Sequence, residues 1–241
     1  MNILGVIPAR YDSTRLKGKP LELINEKPLI QWVFESAIKY KKFKEVIIAT
    51  DNEEIKKTAL SFGANVCMTD KSHNSGTDRI AEVALKFNKN IDIIVNIQGD
   101  QLNFSKGVIE KLISPFEKNS LLKMSTIGSS LLEEERNNPN TVKVLVDKKN
   151  YAIYFSRASI PYIKEKISIP VLSHIGMYAY NRDFLLKFSK LKPSNLEICE
   201  SLEQLRAIEN GFKIYVSKIK DKIFEINTLE DLKKARIILG E

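Results

Sequence analysis

Four apolar runs rich in valine and isoleucine, at residues 3–8, 45–50, 65–68 and 91–98, recur through the first hundred residues. Amphipathic stretches with helical spacing, at 29–39, 53–62 and 77–87, separate them. The runs are continuously apolar rather than alternating, which is the signature of strands covered on both faces. Strands of this kind joined by helices predict βαβ units and a mostly parallel central sheet with helices on both faces, a Rossmann-like α/β fold. The second half changes character. Strand-like segments at 142–146, 151–157 and 174–180 lie close enough together to form hairpins. Helices are expected at 183–190 and 196–209, strands at 213–216 and 223–226, and a last helix over about 228–239. With no repeat or linker in view, residues 1–241 are expected to form one domain with an antiparallel extension around 140–180. A chain of 241 residues that is 43% hydrophobic has apolar material enough for that core.

The net charge of +8 invites a nucleic-acid reading, because phosphate neutralisation rewards clustered basic residues. Thirty of the 38 basic residues are lysines spread along helix faces, however, and no nucleic-acid motif accompanies them. Four of the eight arginines, Arg10, Arg15, Arg79 and Arg157, fall in polar loops or at element ends. That placement favours a compact anionic ligand over a long polyanion. No run approaches the ~18 apolar residues of a membrane span, and MNILGVIPAR lacks the features of a signal peptide. The protein is therefore expected in the cytoplasm with no membrane partner. Cys67 and Cys199 are far apart, and His73 and His174 are the only histidines, so neither a disulfide framework nor a histidine metal centre is expected.

Ligands of open α/β sheets sit beyond the carboxyl ends of the strands. The first such end runs into Pro8-Ala9-Arg10-Tyr11-Asp12-Ser13-Thr14-Arg15-Leu16-Lys17-Gly18-Lys19-Pro20. Its amides can cradle a phosphate, with Arg10 and Lys19 neutralising charge. The spacing is not that of a P-loop. Other strand ends offer Thr50-Asp51, then Ser75-Gly76-Thr77-Asp78-Arg79 opening a helix, then Gln98-Gly99-Asp100. A helix start suits an anion, and a carboxylate opposite a phosphate loop suits Mg²⁺. Taken singly, each reads as a turn or cap; their convergence carries the argument.

PARYDSTRLKGKPL, ATDNEEI, MTDKSHNSGTDR, VNIQGD, NPNTVKVLVD, YAIYFSRASIP, HIGMYAY and SLEQLRAIENG follow one another in this order. Together they closely resemble the 3-deoxy-manno-octulosonate (Kdo) cytidylyltransferases, from residue 3 to about residue 235. The resemblance implies a nucleotidyltransferase that joins CMP from CTP to an acidic 3-deoxy sugar, with Mg²⁺ as cofactor and a homodimer formed through the antiparallel extension. It implies that Arg10, Ser13 and Lys19 hold the triphosphate, that Ser75 and Arg79 contact the nucleotide, and that Asp100 binds the metal. Arg10, Lys19 and Asp100 would thus be the catalytic set. Gln98, Arg157, His174, Tyr178, Glu203 and Gln204 fall in motifs that line the sugar pocket. Outside the motif, His174 reads as a strand residue satisfied by backbone, and Glu203 and Gln204 as part of a solvated helix face.

Three positions depart from the family pattern. Asp100 is followed by Gln101 and Leu102 where the family usually has Glu-Pro, and some relatives with Gln there resemble enzymes for the 8-amino analogue of Kdo. Near the C-terminus, Ile226-Asn227-Thr228 stands where the family usually has Val-Asp-Thr. Asn227 is expected to cap the last helix as Asp would, and to offer the metal a neutral carbonyl in place of a charge. A nucleotidyltransferase for another acidic sugar and a catalytically weakened sugar-nucleotide-binding relative are the alternative readings.

Overall fold

The computed structural model describes residues 1–12, 16–87, 90–165, 169–221 and 223–239. The chain divides into two compact units, Met1–Lys106 with Lys222–Glu241, and Gly107–Asp221. In the first, β1 (Ile3–Ala9) leads into a loop that ends in a single 3₁₀ turn at Lys19–Leu21. A small hairpin of β2 (Leu23–Ile24) and β3 (Lys27–Pro28) precedes α1 (Leu29–Ala37). Then come β4 (Phe43–Thr50), α2 (Glu53–Ser61), β5 (Asn65–Met68), α3 (Gly76–Lys86), β6 (Ile93–Asn96) and the short β7 (Gln101–Leu102). The strands order as β6-β1-β4-β5, every neighbour parallel. Their apolar runs are buried: Leu4, Val6, Ile7, Ile48, Ala49, Ile94 and Val95 have no accessible surface. That is why the runs do not alternate, and it brings the carboxyl ends of β1, β4, β5 and β6 to one edge of the sheet.

Local signals start the helices. Asn52 caps α2 by accepting from the amides of Glu54 and Ile55. Ser75 and Asp78 form a reciprocal capping box on α3, at 3.1 Å each way. Gly99, just past β6, is dictated by packing: a Cβ there would stand 2.9 Å from the Pro8 carbonyl oxygen. Only glycine lets the two strand ends approach so closely.

The second unit contains α4 (Lys106–Lys118), which begins at the boundary, then β8 (Met124–Ser130), β9 (Lys143–Val146), β10 (Ala152–Ser156) and β11 (Val171–Asn181). It continues through α5 (Arg182–Phe188), α6 (Asn195–Glu200), α7 (Gln204–Glu209) and β12 (Ile214–Ile219). Strands β10, β9, β11 and β8 pair antiparallel in that order, and β12 adds to β8 in parallel. The chain then returns to the first unit, where β13 (Phe224–Glu225) pairs antiparallel with β7 and α8 (Leu229–Ile238) ends the fold.

Three expectations are corrected here. The single helix expected over 196–209 is two, because Ser201 adopts the left-handed conformation (φ 52°) and ends α6. The strand expected over 91–98 shortens to Ile93–Asn96. Asn227 does not cap α8: Thr228 does, with its hydroxyl accepting from the Asp231 amide while the Asp231 carboxylate receives the Thr228 amide. The expected runs also passed over α4 and β8 altogether.

Candidate active site

In the first unit, the carboxyl ends of β1 and β6 and the start of α3 enclose a cavity of about 360 Å³. Arg10, Lys19, Ser75, Gln98 and Asp100 all line it. Five residues spread from Arg10 to Asp100 are thus brought together. The loop that carries the cations is closed by one backbone bond, Gly18 N–H to the Tyr11 carbonyl at 2.8 Å, with Gly18 in the left-handed region (φ 70°). Lys19 follows at once, and its ammonium meets the Asp100 carboxylate at 2.6 Å with side chains 12% and 25% accessible. Arg10 is aimed by backbone: its Nη2 donates to the His73 carbonyl at 2.7 Å.

Helix α3 opens on the same cavity through Ser75 and Gly76. Its first amides and the helix dipole make that end attractive to an anion. The Ser75 oxygen already accepts the Asp78 amide, so what remains for a ligand is its O–H. Ser13, expected beside Arg10, lies outside the described residues. Arg79 is fully buried and is not part of the cavity lining. Its Nη2 pairs with Asp51 at 2.6 Å and its Nη1 donates to the Thr69 hydroxyl. It thereby ties α3 to the residues that follow β4 and β5.

Asp100, four residues past the end of β6, lines the cavity together with Asp12. Asn227 is not in the lining: its Nδ2 donates to Glu225 at 2.9 Å, while the neighbouring Ile226 amide donates to the Asp100 carbonyl at 2.9 Å. Among the described residues, no cluster of three or more His, Cys, Asp or Glu side chains could hold a metal ion. The Asp100 carboxylate, already matched with Lys19, suits an ion that arrives with oxygen ligands of its own. Gln101, beside Asp100, is 2% accessible, and its Oε1 has no partner among the described residues.

The other expected residues lie in the second unit. Arg157 leaves β10 with its Nε on the Glu200 carbonyl at 2.8 Å and its Nη1 on that of Pro139 at 3.0 Å. The Glu200 carboxylate receives the Ser156 hydroxyl at 2.6 Å and the Arg157 amide at 2.8 Å. Buried Lys143 donates to the carbonyls of Asn138, Thr141 and Arg157, and burial pulls its pKa down. Neither Lys143 nor Glu200 stood out in the sequence, since a lysine in a strand and a glutamate in an acidic helix carry no spacing signal.

His174 and Tyr178 stand on β11 either side of a register shift, with rings 5.6 Å apart. Two extra residues in the shift keep both on one face. The imidazole packs edge-on against Phe155 and bonds the Thr126 hydroxyl at 3.0 Å. Loss of hydration pulls its pKa down to about 3, so it is neutral at physiological pH. The Tyr178 phenol is pushed well above its usual value, by burial first and by the Glu203 carboxylate second. Glu203 lies 3.6 Å from Arg206 and is half-buried. Gln204 is 4% accessible, and its Nε2 has no partner among the described residues. The break at Ser201 has therefore replaced the solvated helix face with one that turns Gln204 inward.

An open parallel sheet with a cationic loop, a helix start and a carboxylate around one cavity defines a nucleotide-binding α/β protein. Sequence comparison refines that class. The model of a family described as cytidylyltransferase matches residues 4–219. The chain belongs to the cytidylyltransferase family and is a nucleotidyltransferase. It is 44% identical over 242 residues to the 3-deoxy-manno-octulosonate cytidylyltransferase of Acaryochloris marina, covering 100% of this chain and 98% of that one. It is 44% identical over 236 residues to the 8-amino-3,8-dideoxy-manno-octulosonate cytidylyltransferase of Shewanella pealeana, covering 97% and 96%. Among solved structures, a CMP:2-keto-3-deoxy-manno-octonic acid synthetase complexed with CTP matches with a TM-score of 0.95 at 37% identity, covering 100% of this chain and 99% of that chain.

The state of His174 gives a test. The unfolded chain takes up a proton near pH 6.5, whereas the folded protein does so only near pH 3. Stability from this group is thus intact above pH 6.5 and drains away as pH falls toward 3. Between pH 7 and 5 the loss should be about 2 kcal/mol. Urea unfolding at the two pH values should show the His174→Gln variant losing less by roughly that amount; equal losses would mean that the ring titrates normally.

Proposed function

We propose that this enzyme transfers CMP from CTP to a 3-deoxy-ulosonate sugar acid, Kdo or its 8-amino analogue, releasing pyrophosphate. The observation that carries this reading is the convergence of Arg10, Lys19 and the α3 N-terminus on one cavity that ends at Asp100. A triphosphate would lie against these cations and amides, with Gln98 beside the sugar. The sugar's anomeric hydroxyl attacks the α-phosphorus in line; the new O–P bond forms as the bond to pyrophosphate breaks. Arg10 and Lys19 compensate the charge that moves onto the leaving group. Mg²⁺ bound by Asp100 and the phosphate oxygens would supply further charge stabilisation. In the second unit, Arg157 is suited to the sugar carboxylate. Neutral His174, the Tyr178 hydroxyl, Glu203 and Gln204 are suited to its hydroxyl groups. The two units act as one nucleotidyltransferase domain, in the cytoplasm, supplying lipopolysaccharide synthesis.

Pyrophosphate release across a panel of nucleoside triphosphates, with Kdo and its 8-amino analogue in competition, tests the reading. CTP should give the highest kcat/KM, and one of the two sugars should be turned over. Arg10→Ala and Lys19→Ala should each lower kcat/KM for CTP by about 10- to 150-fold, the loss of one charge-assisted bond. Wild-type use of CTP by either variant would remove the loop from the triphosphate site.

Asn227 bears on a second reading, a relative that binds the sugar nucleotide with weakened catalysis. Its amide is a poorer metal ligand than a carboxylate. In a Mg²⁺ titration of turnover, Asn227→Asp should lower the half-saturating concentration; an unchanged curve would exclude position 227 from the metal site. Turnover by Asn227→Asp alone would favour the weakened relative.

A homodimer is also proposed, through the antiparallel segment 140–180, where Ile153, Tyr162, Ile163 and Ile169 expose apolar surface. Sedimentation at micromolar concentration should give twice the 27.5 kDa of the chain; a species of one chain mass would refute it.

A further inference from the structure

Arg10 is aimed by a carbonyl, and a carbonyl is only as well placed as the loop that holds it. That loop, between β5 and α3, is short and polar, and its anchor is a carboxylate outside the cavity. Glu82, on the second turn of α3, receives the Asp70 amide on its Oε2 at 2.9 Å. The same oxygen meets the His73 Nε2 at 2.5 Å. Its other oxygen meets Lys86, one helical turn on, at 2.5 Å. Within the loop, the Asp70 carboxylate receives the Ser72 amide at 2.8 Å, tightening the turn between the two anchored positions. One carboxylate thus fixes residues 70 and 73 together, and residue 73 carries the carbonyl that receives Arg10. The side chain of Glu82 is 19% accessible and it is not among the lining residues of the cavity, so it is not placed to touch a ligand there. Burial opposes its charge, but the bonds from Lys86, the Asp70 amide and His73 together hold its pKa down to about 2. It is an anion at any working pH, and the loop is tied to a permanent charge on a rigid helix.

We infer that Glu82 is a positioning residue for the nucleotide site: through the Asp70 amide and the His73 ring it fixes the His73 carbonyl, and that carbonyl orients the Arg10 guanidinium. The inference rests on the reading of Arg10 as a triphosphate ligand. A carboxylate that served only the stability of α3 would not couple to Arg10.

A double-mutant cycle separates the two. CTP affinity is measured by calorimetry for the wild type, Glu82→Ala, Arg10→Ala and the double variant, with KM for the sugar at saturating CTP. Glu82→Ala should weaken CTP about tenfold, within the range of directly coupled groups, and leave the sugar KM unchanged. In the Arg10→Ala background the same change should have an effect below about twofold, because the group it positions is gone. Glu82→Gln keeps an acceptor for the amide and the ring, so it should recover most of the affinity. His73→Ala, which keeps the carbonyl but frees it, should weaken CTP in the same direction. Unaltered CTP affinity in Glu82→Ala, or an equal loss in both backgrounds, overturns the inference. Parallel losses of CTP affinity, sugar KM and melting temperature, unrelieved by Glu82→Gln, also overturn it. If Arg10→Ala alone leaves CTP affinity intact, the triphosphate assignment itself fails, a result legible without any Glu82 variant.

Discussion

A guanidinium with no accessible surface sets the geometry of the first unit. Arg79 reaches from α3 to Asp51, which follows β4, and to Thr69, which follows β5. Removing one partner of a buried ion pair leaves an uncompensated charge, at a cost of about 3–5 kcal/mol. The pair therefore forbids α3 from sliding along the sheet. Everything the cavity needs from that side follows: the capped helix start at Ser75, the bend of residues 69–75, and the carbonyl that meets Arg10. The sheet supplies the other side by its own rule, since parallel strands end together.

Four of the described arginines show two kinds of bond. Arg79 and Arg206 are paired with the carboxylates of Asp51 and Glu197 and are nearly or fully buried. Their charge is spent within the fold. The bonds described for Arg10 and Arg157 run to backbone carbonyls, at His73 for one and at Glu200 and Pro139 for the other. A carbonyl offers only a partial charge, so such a bond fixes direction without itself neutralising the cation.

This division explains what could be read from the sequence and what could not. The parallel strands and the cationic loop were legible because burial on both faces and a cluster of donors each leave a local pattern. Arg79 reads as a ligand residue because its motif places it at a helix start, and only the fold shows its side chain fully buried on Asp51 and Thr69. Strand β8 was missed because it is built from MSTIGSS, whose Ser125 and Thr126 are buried with their hydroxyls on carbonyls, Ser125 to Leu112 and Thr126 to Met177. Buried hydroxyls satisfied in this way look like loop residues when read in one dimension. Helix α4 was missed for the converse reason: it carries Pro115 inside it, a residue that reads as a breaker. The cap of α8 moved from Asn227 to Thr228 because two adjacent capping residues compete, and the box with Asp231 decides between them.

The contact between Lys19 and Asp100 has a consequence for how a highly charged guest gains entry. At 2.6 Å the two neutralise each other inside the cavity, where a lone ion would be expensive. A triphosphate and its counter-ion bring one partner of the right sign for each. Under the proposed function, Lys19 would be the group to turn toward a phosphate and Asp100 the group to hold the metal, each giving up the other as partner. Neither group would then have to stand stripped of both water and a counter-charge, because until a guest arrives each serves as the other's placeholder.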